Sequence, residues 1–334
     1  PVHQLPDLNI TATVWENTAE ATPESVSLLD NIDLRSVSAE RFEDLLDSIP
    51  NLTATGGTNG ARYFQIRGTG ENSQFEGETP DLSVRFLIDD FDFTGIGGLA
   101  TLFDVAQVEV VRGAQSGAYG VSASGGIIKI MTEQPALDAE NKASLTLGEN
   151  NLRSLNYASG GALDKLGTTL YRISLSQNQS DGTIANSTLK RMDTNYNENY
   201  LSHLKIVHQL NSLAQIDCAV IYADQEGGYD EWSLNNTRHQ SQSDNPGSDD
   251  QNSKGISLKL NSDHMDSYRI HALSSFLQTD SLYSYDSDWG DFDAGTSGYD
   301  GFLSIDRDRS NFTQEVSLNS NPHTVGSLID QWAL

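Results

Sequence analysis

Beyond residue 140 the chain alternates between apolar and polar positions with a period of two. Thr169, Tyr171, Ile173 and Leu175 interleave with Thr168, Leu170, Arg172 and Ser174. Ala214, Ile216, Cys218, Val220 and Tyr222 share one face, opposite Gln215 and Asp217. Ile256, Leu258 and Leu260 alternate with Ser257, Lys259 and Asn261, and Phe312, Val316 and Leu318 alternate with Thr313, Glu315, Ser317 and Asn319, with Gln314 the odd member of the apolar face. Period two with one apolar face predicts β-strands. About eight such runs follow one another, at 141–148, 153–161, 167–177, 200–209, 214–224, 254–262, 267–278 and 311–319. Their connections alternate in length. Leu163–Leu166, Asn211–Leu213 and Asn261–Asp266 read as short turns, whereas 178–199, 225–253 and 279–310 read as long polar loops dotted with aromatics. Short turns at one end and long loops at the other suit a membrane barrel. Loops of that length sit poorly in a compact sandwich. The two architectures differ in what the apolar face meets: lipid in the barrel, a second sheet in the sandwich.

The first 140 residues carry a mixed α+β pattern. Residues 1–20 show no buried period and read as a flexible lead-in with one extended piece, Leu8–Val14. A strand is expected over 25–34. Ser38 reads as an N-cap with Glu40 in the first turn, and Phe42, Leu45, Leu46 and Ile49 follow at helical spacing until Pro50 closes the helix. Strands are expected at Tyr63–Ile66, Val84–Ile88, Gln107–Val111 and Ile127–Met131, separated by glycine-rich joints. The expected domains are therefore a lead-in (1–20), an α+β domain (21–137) and a strand-only region (138–334).

Composition narrows the function. The chain has 334 residues, 20 basic and 47 acidic, for a formal charge of -27. That balance argues against a nucleic-acid partner, which requires a basic face. Acidity is spread over both parts, -15 before residue 141 and -12 after it. The mean hydropathy is -0.45, and no apolar run approaches the roughly 18 residues of a membrane helix. Barrel strands escape that test. The lone Cys218 excludes an intrachain disulfide and a cysteine-based zinc site, and reads as a small hydrophobe in a strand. The seven histidines fall in no HExxH arrangement. Gly68-Thr69-Gly70 lacks the Lys-Ser/Thr pair of a phosphate loop. Asp89 and Asp90, neighbours in a strand, point to opposite faces and cannot jointly flank a bond. No nucleophile–base set is present, no cofactor and no metal site is expected, and the chain reads as no enzyme. Asp286, Asp288, Asp291 and Asp293 offer oxygen ligands of the kind calcium takes, without EF-hand spacing.

Residues 107–135 read QVEVVRGAQSGAYGVSASGGIIKIMTEQP. This segment resembles the plug of TonB-dependent outer-membrane receptors. In register are Glu109, Arg112, Gly113, Gln115, Ser116, Tyr119, Gly120, Gly125 and Gly126, with Ala114 where the family usually has proline. Upstream, 42–52 (FEDLLDSIPNL), 64–68 (FQIRG, containing Arg67 and Gly68) and 86–93 (FLIDDFDF) are similar to the family's helix, I-R-G strand and D-G hairpin. Asp90 replaces the hairpin glycine. The likeness covers 8–135, and segments 180–182, 229–236, 283–291 and 306–320 resemble a siderophore-receptor-like subgroup more loosely.

The resemblance implies an α+β plug followed by antiparallel strands of a transmembrane β-barrel in the outer membrane of a Gram-negative bacterium. It implies import of a scarce extracellular ligand, most commonly a ferric siderophore, powered by a TonB-type energy-coupling protein of the inner membrane. Leu8-Asn9-Ile10-Thr11-Ala12 falls where the family has its TonB box, a segment able to pair edge-on with a partner strand. Plug apices fall near Thr58-Asn59, Asn72–Glu76 (with Gln74 and Phe75) and Phe93–Ile96 (with Thr94). The long loops add Tyr229, Trp232, Tyr283, Tyr285, Trp289 and Phe292, whose rings suit a bulky, partly planar ligand. Arg112 and Glu109 are expected to pair, since a buried guanidinium finds its best partner in a carboxylate. With Arg67 they either hold the plug together or form a plug–wall contact that loosens in transport. The family closes its barrel with about 22 strands, against about eight here, so the expectation is the N-terminal part of a longer receptor that does not transport alone. The competing reading is a secreted β-sheet carbohydrate-binding module.

Overall fold

The computed structural model describes residues 9–10, 17–18, 24–36, 41–55, 60–71, 82–97, 101–115, 123–234, 237, 239–264 and 268–320. The chain divides into two compact units, Pro1–Glu133 and Gln134–Leu334.

In the N-terminal unit, β1 (Asn9–Ile10) pairs antiparallel with β2 (Asn17–Thr18). β3 (Ser25–Asp30) is followed by α1 (Asn31–Ser36) and a 3₁₀ helix (Phe42–Ser48). Then come β4 (Leu52–Thr55), β5 (Tyr63–Ile66), β6 (Thr69–Gly70), β7 (Val84–Ile88), β8 (Phe91–Asp92), β9 (Val105–Arg112) and β10 (Gly126–Thr132). Five of these form one sheet in the order β3-β9-β10-β7-β8, with β10 parallel to β7 and the other neighbours antiparallel. The central strands are covered on both faces. Val108, Glu109, Val110, Val111, Ile127 and Ile128 are all fully buried, which is why they lack the one-sided alternation of the later strands. Phe42, Phe64 and Phe86 form the aromatic centre, with centroids 5.0–5.4 Å apart.

Two expectations are corrected in this unit. The strand predicted over 25–34 ends at Asp30, because Asp30 Oδ1 accepts the N–H groups of Ile32 and Asp33 and opens α1. The helix before Pro50 is 3₁₀, capped at Arg41 and not Ser38, which lies outside the described residues. The Arg41 N–H donates to Asp44 Oδ2 at 2.9 Å. A three-residue turn stacks Phe42 over Leu45, and both are fully buried.

The second unit is an eight-stranded antiparallel sheet in simple chain order: β11 (Glu140–Leu147), β12 (Arg153–Ala162), β13 (Thr169–Ser180), β15 (Asn197–Asn211), β16 (Ala214–Tyr229), β18 (Gly247–His264), β19 (Tyr268–Asp286) and β20 (Phe302–Ser320). The short β14 (Ala185–Asn186) and β17 (Gln240–Ser241) pair in parallel between long connections. All eight predicted runs are present, but the later strands reach further. β16 to β20 run deep into the segments read as loops, placing Tyr229, Tyr283 and Tyr285 in strands. The turn expected at Asn261–Asp266 is corrected too, since β18 continues to His264.

The sheet buries the opposite face from that of a soluble sandwich. Ser154, Asn156, Arg172, Ser174, His203, Lys205, Ser253, Ser257 and Thr279 are buried. Leu145, Leu147, Leu155, Val220, Ile256, Leu258, Phe276, Phe312 and Val316 are exposed. On β16 the apolar face, half-buried except for the exposed Val220, runs from Ala214 to Tyr222, about the 9–11 residues a tilted strand needs to cross a bilayer, and then turns acidic at Asp224. Tyr200 and Tyr222 sit at that boundary, 5.9 Å apart. The Tyr222 hydroxyl donates to Asp224 and accepts from Asn252. Among the described residues no helix is long and apolar enough to span a membrane; the strands carry the apolar belt.

Candidate functional site

The motif of the N-terminal unit is built around two hairpins and the β9–β10 ladder. Arg67 and Gly68 make the two-residue turn between β5 and β6, both with positive φ (54° and 76°), as a tight hairpin requires. The Arg67 N–H donates to the Asn51 carbonyl at 2.9 Å. In the β7–β8 turn only the first residue, Asp89, takes a positive φ (48°), so Asp90 replaces glycine without strain. Asp89 locks the hairpin onto β10, its carboxylate accepting from the Thr132 N–H at 3.0 Å and hydroxyl at 2.8 Å.

The expected Arg112–Glu109 pair does not form. The two residues are three apart in β9 and therefore point to opposite faces. Arg112 Nε donates to the Pro50 carbonyl at 3.0 Å, and its Nη2 to Ser27 Oγ at 2.6 Å. It thus ties β9 to β3 and to the end of the 3₁₀ helix. Burial, and then the Arg67 charge, lower the Arg112 pKa. Glu109 accepts from Gln107 Nε2 at 2.6 Å and faces Lys129 across the ladder. Gly113 N–H donates to the Gly125 carbonyl and Gln115 N–H to the Ala123 carbonyl. Gly126, at φ 147°, leaves no room for a side chain: a Cβ there meets the Val111 carbonyl and lies 2.7 Å from Ile66 Cδ1. Ser116, Tyr119 and Gly120 lie outside the described residues.

Several expected contact residues also lie outside them: Leu8, Thr11 and Ala12 of the lead-in, and Thr58, Asn59, Gln74, Phe75 and Glu76 of the apices. Asn9 and Ile10 form β1. Phe93 and Thr94 were expected at a ligand-facing apex. Both are buried instead (0% and 3% exposed), with the Thr94 hydroxyl accepting the Phe86 N–H at 3.0 Å. They close the β7–β8 hairpin from inside.

At the long-connection end of the second unit the aromatics do converge. Trp232 and Trp289 stack, with centroids 5.3 Å apart and planes inclined 16°, and they keep 41% and 36% exposure. Tyr229 and Tyr283 pack edge-on beneath, 5.2 Å apart, and Tyr283 touches Tyr285. The Trp232 indole N–H donates to the Tyr229 hydroxyl at 2.8 Å. Tyr229 and Tyr283 are almost fully buried (1% and 3% exposed), so they support the indoles and do not meet a ligand directly. Phe292 is exposed.

A polar network invisible to periodicity holds this platform. Asp230 Oδ2 accepts from Asn186 Nδ2 at 2.9 Å and Ser241 Oγ at 2.6 Å, and Asn186 Nδ2 also donates to the Ser243 carbonyl at 2.7 Å. Two connections, β13–β15 and β16–β18, are thereby tied together through side chains that are all buried. Beside it, burial and then Asp249 push the Glu231 pKa up. Three of the four carboxylates that offered calcium ligands, Asp286, Asp288 and Asp291, accept backbone N–H groups instead. Asp286 Oδ1 accepts the Asp288 and Trp289 N–H groups, Asp288 accepts those of Gly290 and Gly301, and Asp291 accepts that of Ala294. Among the described residues no group of three or more His, Cys, Asp or Glu side chains is arranged to hold a metal.

A family model described as the TonB-dependent Receptor Plug Domain matches residues 18–127. An iron-regulated outer membrane virulence protein of Vibrio cholerae is 32% identical over 130 residues, 37% of this chain and 20% of its own length. The vitamin B12 transporter BtuB of V. cholerae is 27% identical over 166 residues, 47% of this chain and 26% of its own. Among solved structures, the ferric yersiniabactin uptake receptor FyuA from Yersinia pestis superposes with a TM-score of 0.76 at 17% identity, over 90% of this chain and 46% of that one. The pyoverdine receptor FpvA from Pseudomonas aeruginosa does so with a TM-score of 0.75 at 11% identity, over 97% and 47%. At these identities the structural likeness carries the fold. The chain spans about half the length of the solved structures and a fifth to a quarter of these two curated relatives.

Proposed function

We propose that this chain, which matches the TonB-dependent receptor plug model over residues 18–127 and takes the fold of solved uptake receptors over most of its length, is part of such a receptor and serves to import a scarce ligand across the outer membrane of a Gram-negative bacterium. The observation that carries this reading is the pairing of a plug domain with a sheet whose apolar side chains face outward. A secreted carbohydrate-binding sheet has no reason to expose Leu145, Val220, Ile256, Phe312 and Val316.

The ligand docks at the external end of the strands, where Trp232 and Trp289 present a flat, half-exposed surface. A TonB-type energy-coupling protein engages the lead-in around Leu8–Ala12 and shifts the plug, and the ligand passes without any of its bonds being broken. A ferric siderophore is the cargo we favour, since a receptor named for siderophores and others named for ferric yersiniabactin and pyoverdine occur among the solved structures of this fold. Cobalamin is the second candidate, because BtuB aligns over nearly half the chain. Uptake of ⁵⁵Fe-labelled siderophores and of ⁵⁷Co-cobalamin by a strain lacking the gene separates them. The reading expects lost iron uptake, restored by the gene and abolished by a protonophore. Unchanged uptake of both sinks it.

A further inference from the structure

Trp232 lies in the connection between β16 and β18, and Trp289 in that between β19 and β20. Their stack bridges two connections beyond the strand ends, with both indoles part-exposed. Leu234 extends the patch. It is exposed, and its Cδ1 lies 2.9 Å from where a Cβ on Gly290 would sit. The Trp232 indole N–H is directed at the buried Tyr229 hydroxyl. What this indole offers a ligand is therefore its ring, whose negative face attracts cations.

The amides beside Trp289 are already taken by the protein's own carboxylates. Asp286 Oδ1 accepts from the Asp288 and Trp289 N–H groups at 3.1 and 3.2 Å. Asp288 accepts from Gly290 at 2.9 Å and Gly301 at 3.0 Å, and Asp291 from Ala294 at 2.8 Å. The Asp291 N–H goes to Thr296 Oγ1 at 2.7 Å. A loop that binds an anion presents free N–H groups to it; this one has filled them with its own negative charge. Asp293 and Asp300 add exposed carboxylates, and residues 287–301 contain no Lys or Arg. Across the stack the Asp244 N–H donates to the Gly290 carbonyl at 2.9 Å, which sets a further exposed carboxylate against the residue that follows Trp289. These groups act as one field: burial, then Asp291 and Asp288, push the Asp244 pKa up, and Asp300 adds to the rise. In the three long connections the described Lys and Arg side chains are Lys190 and Arg191, and Arg191 grips Asp193 by bonds of 2.8 and 3.1 Å.

We propose that the Trp232–Trp289 platform selects cargo by charge, taking a flat group that carries positive charge and turning away anionic chelates of the same shape. The proposal rests on the import reading and narrows it, since it names the charge class of the cargo at the docking surface described above. Ring faces and carboxylate rim act in the same sense. A flat cation gains from both, whereas an anion meets repulsion from the rim and amides that are already taken.

The test is equilibrium dialysis of two flat probes of matched shape and opposite charge, N-methylacridinium and acridine carboxylate. The receptor is held in a neutral detergent at neutral pH and about 10 mM salt, and binding to empty micelles is subtracted. The cation should bind at least about tenfold more tightly than the anion, and the gap should narrow at about 0.5 M salt. D244N/D300N changes two exposed side chains and leaves Asp286, Asp288 and Asp291 to hold the connection; there the gap should shrink to about threefold. W232A/W289A should bring cation binding down to background. Equal binding of the two probes by the unaltered receptor, tighter binding of the anion, or an unchanged gap in D244N/D300N overturns the proposal even if W232A/W289A fails to fold. The dialysis needs no transport. Equal binding with normal uptake removes the charge selection alone, and a charge gap in a receptor whose loss alters neither iron nor cobalamin uptake removes the import reading alone.

Discussion

The two units bury opposite kinds of side chain. In the N-terminal unit Val108, Val110, Val111, Ile127 and Ile128 vanish from the surface around a cluster of three phenylalanines. In the second unit serines, threonines, an arginine and a lysine are buried, while leucine, isoleucine, valine and phenylalanine stand exposed. One chain thus follows two solvents. The first unit obeys the usual transfer of apolar surface away from water. The second treats its apolar face as the one to be solvated, which only a lipid environment rewards. A composition average of both reads as an ordinary, rather polar protein.

The contrast can be broken most severely in the first unit. Phe42→Ala removes a fully buried ring from the aromatic centre and is expected to cost about 3–5 kcal/mol, seen as an early unfolding step in urea. On the second unit the sign of the usual rule reverses. Val220→Arg lies on an exposed face where a soluble protein would welcome it, yet it should cost about 2–4 kcal/mol in a bilayer, measured by refolding into vesicles. Arg112→Lys retains charge but loses the two-pronged grip on Pro50 and Ser27, with an expected cost of about 1–3 kcal/mol and faster proteolysis of the first unit. The smallest effect is at the turn before β13. Asp164 accepts from the N–H groups of Thr168, Leu166 and Thr169 and from the Thr168 hydroxyl, and these bonds, the Thr168 N–H first, hold its carboxyl well below the usual range. A depressed acid stabilises above its unfolded value and stops doing so as pH falls through the folded one. Asp164→Ala should therefore slightly lower the melting temperature at neutral pH, with the difference closing in strong acid.

The strands of the second unit were legible because period two survives in any environment that differs between two faces. The identity of those environments was not, since Val220 and Ile256 alternate identically whether they meet a sheet or lipid. Strand ends were also hidden. Past Tyr222 and Phe276 the outward positions turn polar, so Glu226 and Asp280 read as loop although they remain paired. The 3₁₀ helix was misread as α because Phe42, Leu45 and Ile49 fit either turn. Of the candidate site, the indoles of Trp232 and Trp289 were visible as aromatics in polar stretches. The Asn186–Asp230–Ser241 network was not, because its members lie 44 and 11 residues apart, and only the β14–β17 pairing brings their segments together.

Cys218, the chain's single cysteine, lies on the outward apolar face of β16. A nitroxide attached there, in outer-membrane vesicles, reports its surroundings by collision with oxygen, which concentrates in lipid, or with a water-soluble nickel chelate. The account predicts strong oxygen relaxation and protection from nickel. Relaxation by nickel, or shielding from both, would contradict it.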